Sequence, residues 1–187
     1  MLVGDKVAIR ARIEQDVATL HEELFNDVAT RSGADSRAWR PTPTGASSPY
    51  CVMEPSSDFA AFSIVEFDSH ELVGECVLWS IDLHNRSAHV GVAVRPGFRG
   101  RGYGTDTVRV LSKYGFDVLG LHRLQLETSE NNGAMQSVAS HCGFQVEGTT
   151  QDSSWQDGAF ISELIYGLLA GQWRRTTDEQ PTATPKS

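Results

Sequence analysis

Positive charge is scarce in this chain. Its 187 residues hold 16 Lys and Arg against 24 Asp and Glu, a formal charge of −8. That deficit argues against nucleic acid or an anionic membrane as the main partner, because both reward positive charge. Cysteine is rarer still. Cys51, Cys76 and Cys142 are odd in number and lack the paired spacing of a disulfide framework or a cysteine zinc site. No run approaches the roughly 20 apolar residues that span a bilayer. The opening MLVGDKVAIRARIEQD carries charges where a signal peptide needs an apolar stretch. The six histidines show no metal-ligand spacing and read as ordinary surface or partly buried residues, so no metal is expected. Together these absences lead to the expectation of a soluble, cytoplasmic protein with reduced thiols and no internal repeat.

What is present is enough apolar sequence for one core, 40% of residues, beneath 21% charged ones. Val7–Ile13 alternates as a half-buried strand, and Asp16 can cap a helix reaching about Val28. Residues 30–57 are rich in Ser, Pro, Gly and Thr and read as a long loop, a place where substrate-side function gathers. Phe59–Phe67 and Leu72–Leu83 form a hairpin, and Ala88–Val94 is a further strand. A helix follows over Tyr103–Val118, then a strand at Leu121–Thr128 and a helix at Asn132–Cys142 closed by Gly143. Gln145–Trp155 and Phe160–Leu169 flank Asp157-Gly158, a hairpin signal. The order predicts one α/β (α+β) domain over 1–173, with a mixed sheet under helices, and a disordered tail at 174–187.

Val92 to Leu111 carries the most chemistry: strand, glycine-rich turn, helix. Arg99, Gly100, Arg101, Gly102, Tyr103, Gly104 and Thr105 stand at the turn. Glycines let backbone amides approach a bulky anion, and the unpaired N–H groups at a helix start bind negative charge. The physics predicts a phosphate or pyrophosphate cradle. A Walker A loop fails because Tyr103 stands where Lys is needed, and the dinucleotide glycine pattern fails at Thr105 or Thr107.

Arg99-x-x-Gly102-x-Gly104, followed by Asn132 and Gly143-Phe144, resembles the acyl-CoA-binding segments of the GCN5-related N-acetyltransferase (GNAT) superfamily. Leu121-His122-Arg123-Leu124 and Asp157-Gly158…Tyr166-Gly167-Leu168-Leu169 are similar to its RimJ/RimL-like branch. The resemblance implies a mixed, mostly antiparallel sheet flanked by helices, with splayed strands forming an acyl-CoA cleft. It implies acetyl-CoA as co-substrate, held by the amides of Gly100 to Thr105, with Val92, Ala93 and Val94 along the pantetheine arm. Asn132 matches the family's CoA-contacting asparagine, and also suits a helix cap. The acceptor it implies is a primary amine on a peptide N-terminus or a small molecule.

Acyl transfer needs a neutral amine, so a carboxylate must remove a proton from the ammonium. Glu127 matches the catalytic glutamate of the ribosomal-protein alanine acetyltransferases, and Glu75, on a central strand, is the second candidate. The relatives' thiolate-protonating Tyr and Ser fall at Ala139 and Met135, leaving Ser137 or water to substitute. Trp39, Trp79 and Trp155 could line an acceptor pocket, although the core is the commoner place for Trp79. Glu75, Asp82, Asp152, Asp157 and Glu163 lend the acceptor side an acidic tint. The missing hydroxyls keep open an alternative of another class, a non-catalytic acyl-CoA sensor. Pairing of edge strands near 155–169 would allow a homodimer.

Overall fold

The computed structural model describes residues 1–28, 31, 35 and 37–178, with side chains to residue 175. Its frame is an eight-stranded sheet: β1 (Leu2–Val3), β2 (Val7–Ala11), β3 (Phe59–Glu66), β4 (Leu72–Asp82), β5 (Ser87–Val94), β6 (Arg123–Ser129), β7 (Gln145–Gln156) and β8 (Ala159–Leu169). The spatial order is β1-β2-β3-β4-β5-β6-β8-β7. Every neighbouring pair is antiparallel except β5 and β6. Those two are joined by a crossover through α2 (Tyr103–Lys113), as a parallel pair requires. The other helices are α1 (Glu14–Leu20), α3 (Gly133–His141) and α4 (Ala170–Asp178).

Strand alternation places Ile64, Cys76, Leu78, Val90, Leu124 and Leu126 beneath α2, where Val108 and Leu111 meet them in the main core. On the opposite face Leu20, Leu24 and Phe25 pack with Tyr50 and Ala93. Tyr50 belongs to the expected long loop, which also holds a short 3-10 turn at Gly45–Ser47. Residues 29, 30, 32–34 and 36 of that loop lie outside the described residues.

Several boundaries differ from expectation. Asp16 is not the cap of α1; Ile13 holds that position, and Asp16 sits three residues in. Its carboxylate accepts the Ile13 amide at 3.1 Å, the Ser63 hydroxyl at 2.7 Å and the Arg10 guanidinium at 2.7 Å. Burial alone would raise its pKa, yet these partners hold it below the usual carboxylate value. The first helix ends in a wide π turn over His21–Phe25, short of Val28. A second π turn, Tyr114–Val118, completes α2. At the C-terminal end the chain stays helical to Asp178, past the expected boundary at 173, because Trp173 packs on Phe116 with ring centroids 6.0 Å apart. Residues 179–187 of the expected tail lie outside the described residues.

One carboxylate ties the N-terminal segment to α2. Buried Asp106 accepts the backbone amides of Asp5 at 3.2 Å, Lys6 at 2.8 Å and Val7 at 2.9 Å. A side chain at Gly4 would collide with it, since a Cβ there would stand 2.5 Å from Asp106 Oδ2. Asp106→Ala would strand three amide donors, so chemical denaturation of this variant is expected to show a loss of about 2–3 kcal/mol.

Candidate functional site: an open strand edge and a glycine cradle

The β5–β6 ladder is short. Its partners are Ser87 with Arg123, Ala88 with Leu124 and His89 with Gln125, and there it stops. Beyond that point β5 stays with β4, through Val92 opposite Cys76, Ala93 opposite Glu75 and Val94 opposite Gly74. Strand β6 stays with β8 as far as Ser129 opposite Glu163. Val92, Ala93 and Val94 therefore present an open edge in the middle of a sheet, where backbone polar groups need partners. Gly74 permits this packing on the other side: a Cβ there would lie 2.1 Å from the Ala93 carbonyl oxygen.

The open edge leads into the cradle. After a 3-10 turn at Pro96–Phe98, Gly100 and Gly102 adopt φ of +75° and +85°, and Gly102 is the N-cap of α2. The first helical bond in the turn runs from Asp106 N to Gly102 O at 3.1 Å. Among the described residues no backbone carbonyl accepts from the amides of residues 100 to 105. These amides stand at the start of an 11-residue helix, where its dipole is positive.

The side chains of the turn have structural roles. Arg99 Nε donates to the Val94 carbonyl at 2.9 Å, and the Arg101 guanidinium covers the Phe98 ring at 5.5 Å. Tyr103 is buried, with its hydroxyl donating to Glu66. Only its amide can face an anion. Gly104 brings α2 against α3, where an added Cβ would stand 3.6 Å from Val138. Thr105 accepts at its carbonyl from Cys142 Sγ at 3.4 Å, and burial pushes that thiol up to about 11. Beside the cradle lies a cavity of about 230 Å³ lined by Lys6, Gly102, Thr105 and Arg109. Lys6 Nζ donates to the Arg101 carbonyl at 2.8 Å.

Asn132 caps α3, its Oδ1 accepting from Met135 N at 3.0 Å. Ser137 is exposed on the same helix, its Oγ 3.3 Å from His141 Nδ1. Ala139 is fully buried and Met135 packs against the core, so neither position offers a hydroxyl.

The two carboxylates named from sequence have different surroundings. Glu75 lies on the face away from α2 and forms an ion pair with Arg12, whose side chain is 4% exposed. Burial pushes the Glu75 pKa up against the opposing pull of Arg12. Of the expected acidic residues, Glu75 is paired with Arg12, while the amides of Asn85 and His84 donate to Asp82 in its own turn and hold its pKa below the usual carboxylate value. Glu127 shares that face by strand alternation, with its side chain 37% exposed. Gln125 Nε2 donates to Glu127 Oε1 at 2.7 Å, and His89 Nδ1 stands 3.6 Å from the same oxygen. Trp79 stacks on His89 with centroids 4.2 Å apart, and at 38% exposure it is not a core residue. Trp39 and Trp155 are exposed as well. Nothing in the spacing of the histidines singles out His89. Only the meeting of β4, β5 and β6 does.

The fold is that of solved acetyltransferases. A spermidine N-acetyltransferase from Vibrio cholerae, solved with CoA and spermine, superposes with a TM-score of 0.75 over 90% of this chain and 98% of that one, at 17% identity. A GNAT-family acetyltransferase from Bacillus anthracis gives 0.71 over 91% and 98%, at 16% identity. In sequence, the chain is 28% identical over 112 residues to the N-acetyltransferase p20 of Bacillus licheniformis, which is 60% of this chain and 63% of that protein. It is 22% identical over 170 residues to YoaA of Bacillus subtilis, 90% of this chain and 96% of the relative. To the spermidine N(1)-acetyltransferase of Escherichia coli K12 it is 29% identical over 110 residues, 59% of each. Residues 6–145 match the acetyltransferase (GNAT) domain, and with that match over most of its length the chain belongs to the GNAT acetyltransferase family.

Proposed function

We propose that this protein is an acetyl-CoA-dependent N-acetyltransferase that acts on a primary amine by direct transfer. The observation that carries the reading is the continuity of the open β5 edge with the amide cradle at the start of α2. The amides of residues 100 to 105 suit a pyrophosphate; in the cavity beside them Lys6 and Arg109 are balanced by Asp5 and Asp106, so the attraction comes from the amides and the helix dipole. The exposed backbone of Val92, Ala93 and Val94 suits the amide-bearing pantetheine arm, and one of its N–H groups would polarise the thioester carbonyl. Asn132 caps α3 and Ser137 lies on it, and that helix packs beside α2, which supports a role for both toward the arm.

In this reading Glu127 takes the proton from the acceptor ammonium, the freed amine attacks the thioester carbon, and the C–S bond breaks with release of CoA. Glu127 is the better base of the two carboxylates because it is exposed, whereas Glu75 is committed to Arg12. Glu75 then shapes the acceptor side rather than accepting a proton. With no hydroxyl at positions 135 and 139, the thiolate leaves to water or with help from Ser137. The acceptor is a peptide N-terminus or a small amine, as in the RimJ/RimL-like branch or the spermidine enzymes, and a cytoplasmic setting would supply the acetyl-CoA.

The same absence of hydroxyls favours a second reading, a CoA-binding sensor without turnover. Calorimetric titration with CoA together with thiol release on an amine panel separates the two. Binding with release supports the enzyme, binding without release supports the sensor, and no binding removes both. Gly102→Val is expected to weaken CoA at least tenfold in the same titration, because a β-branched residue is strained at φ +85° and its side chain crowds the Lys6 ammonium. Glu127→Gln is expected to lower kcat by about 100-fold with CoA affinity retained, measured by steady-state thiol release.

A further inference from the structure

We infer that His89 is the positioning partner of Glu127, so that the base of this site is a carboxylate coupled to an imidazole. The inference rests on the reading of Glu127 given above. Three strands bring the couple together. The β5–β6 register sets His89 opposite Gln125, and the next residue on that face of β6 is Glu127. The β4–β5 register sets Trp79 opposite His89, and the indole lies at 33° to the imidazole, which fixes its plane. This is also the last rung before the two strands part.

His89 Nδ1 is buried and has no hydrogen-bond partner among the described residues, although Glu127 Oε1 is only 3.6 Å away. A buried imidazole nitrogen without a partner is costly, so its persistence beside a carboxylate is informative. Glu127 in turn is aimed by a chain of hydrogen bonds. Arg123 Nη1 donates to Glu147 Oε1 at 2.7 Å, and Arg123 Nη2 to Gln125 Oε1 at 3.2 Å. With its oxygen taken by a guanidinium, the Gln125 amide must offer Nε2 to Glu127, which fixes the orientation of that side chain. One carboxylate oxygen, Oε1, is thus held between Gln125 and His89. Among the described residues the other, Oε2, accepts no protein donor and is available to an ammonium.

The surrounding charges do not compete for the imidazole. Arg123 is paired with Glu147 of β7, and on β4 Glu75 is paired with Arg12 while Asp82 serves its own turn. Glu163 of β8 stands opposite Ser129, two residues beyond Glu127 on β6, and α2 covers the other face of the sheet. Glu127 is the one carboxylate within 4 Å of His89 among the described residues.

The proton balance is simple. The ammonium proton passes to the Glu127 carboxylate, whose exposed Oε2 gives it on to water, and this restores the base. His89 takes up no proton; a neutral imidazole with its proton on Nδ1 turns it toward Oε1 and holds the carboxylate toward the acceptor.

The test uses the full chain. Imidazole nitrogen resonances are recorded by NMR in the wild type and in Glu127→Gln, with His89 assigned from its loss in His89→Gln. Removing the carboxylate 3.6 Å away is expected to move the His89 Nδ1 resonance. An unmoved resonance overturns the couple, and this arm requires no acceptor. With spermidine and an alanine-first tripeptide as probes, His89→Gln is expected to lower kcat about tenfold and leave KM within about twofold. A wild-type kcat in His89→Gln overturns the inference while leaving the Glu127 reading intact. Full activity in Glu127→Gln would instead remove that reading.

Discussion

The structure depends on a parting of strands. A sheet closes its backbone hydrogen bonds between neighbours, and an edge is normally placed at its rim. Here the edge is internal, because β6 follows β8 while β5 follows β4 after only three shared rungs. The backbone groups that Val92–Val94 leave open on this edge, the Arg99-bound Val94 carbonyl aside, gain the most from an extended ligand that carries its own amides. The turn that follows sets a helix N-terminus beside the same opening, so one path offers both backbone pairing and a positive dipole.

Polar pins keep that opening in shape. Asp106 joins the N-terminal segment to the first turn of α2, and Arg99 fixes the cradle to the end of β5. Arg95 reaches across to Glu23 at 2.9 Å, linking the start of the turn to the helical layer on the other face. The Asp106 and Arg95 pins span elements distant in sequence, the Arg99 pin only five residues, and each carries a charge-assisted bond, the stronger class of hydrogen bond. The cradle can then devote its amides to an anion, because side chains provide its rigidity.

Much of this was legible from residues alone. The alternation in Ala88–Val94, the glycines at 100, 102 and 104, and the stripe of Val108 and Leu111 specify strand, turn and helix within 25 residues. The Asp157-Gly158 turn likewise announced the β7–β8 hairpin. Trp79 was misplaced because a β-rich aromatic is compatible with either face, and only the sheet's layering turns it outward. Asp16 has the composition of a cap, yet Arg10 and Ser63 draw it inside the helix. Glu75 gave no sign of Arg12, 63 residues away, nor His89 of Glu127.

The sequence by itself determined the glycine turn and open helix start proposed to hold an anion, because glycine torsions and helix-end amides act within a few residues and need no distant partner. It determined the alternation of strands and helices for the same reason. The tertiary structure alone decided which strand edge stays open, and which of two carboxylates is neutralised by a guanidinium and which meets an imidazole. Register sets those outcomes. A shift of one residue in the β4–β5 or the β5–β6 ladder would put Trp79 or Glu127 on the face opposite His89.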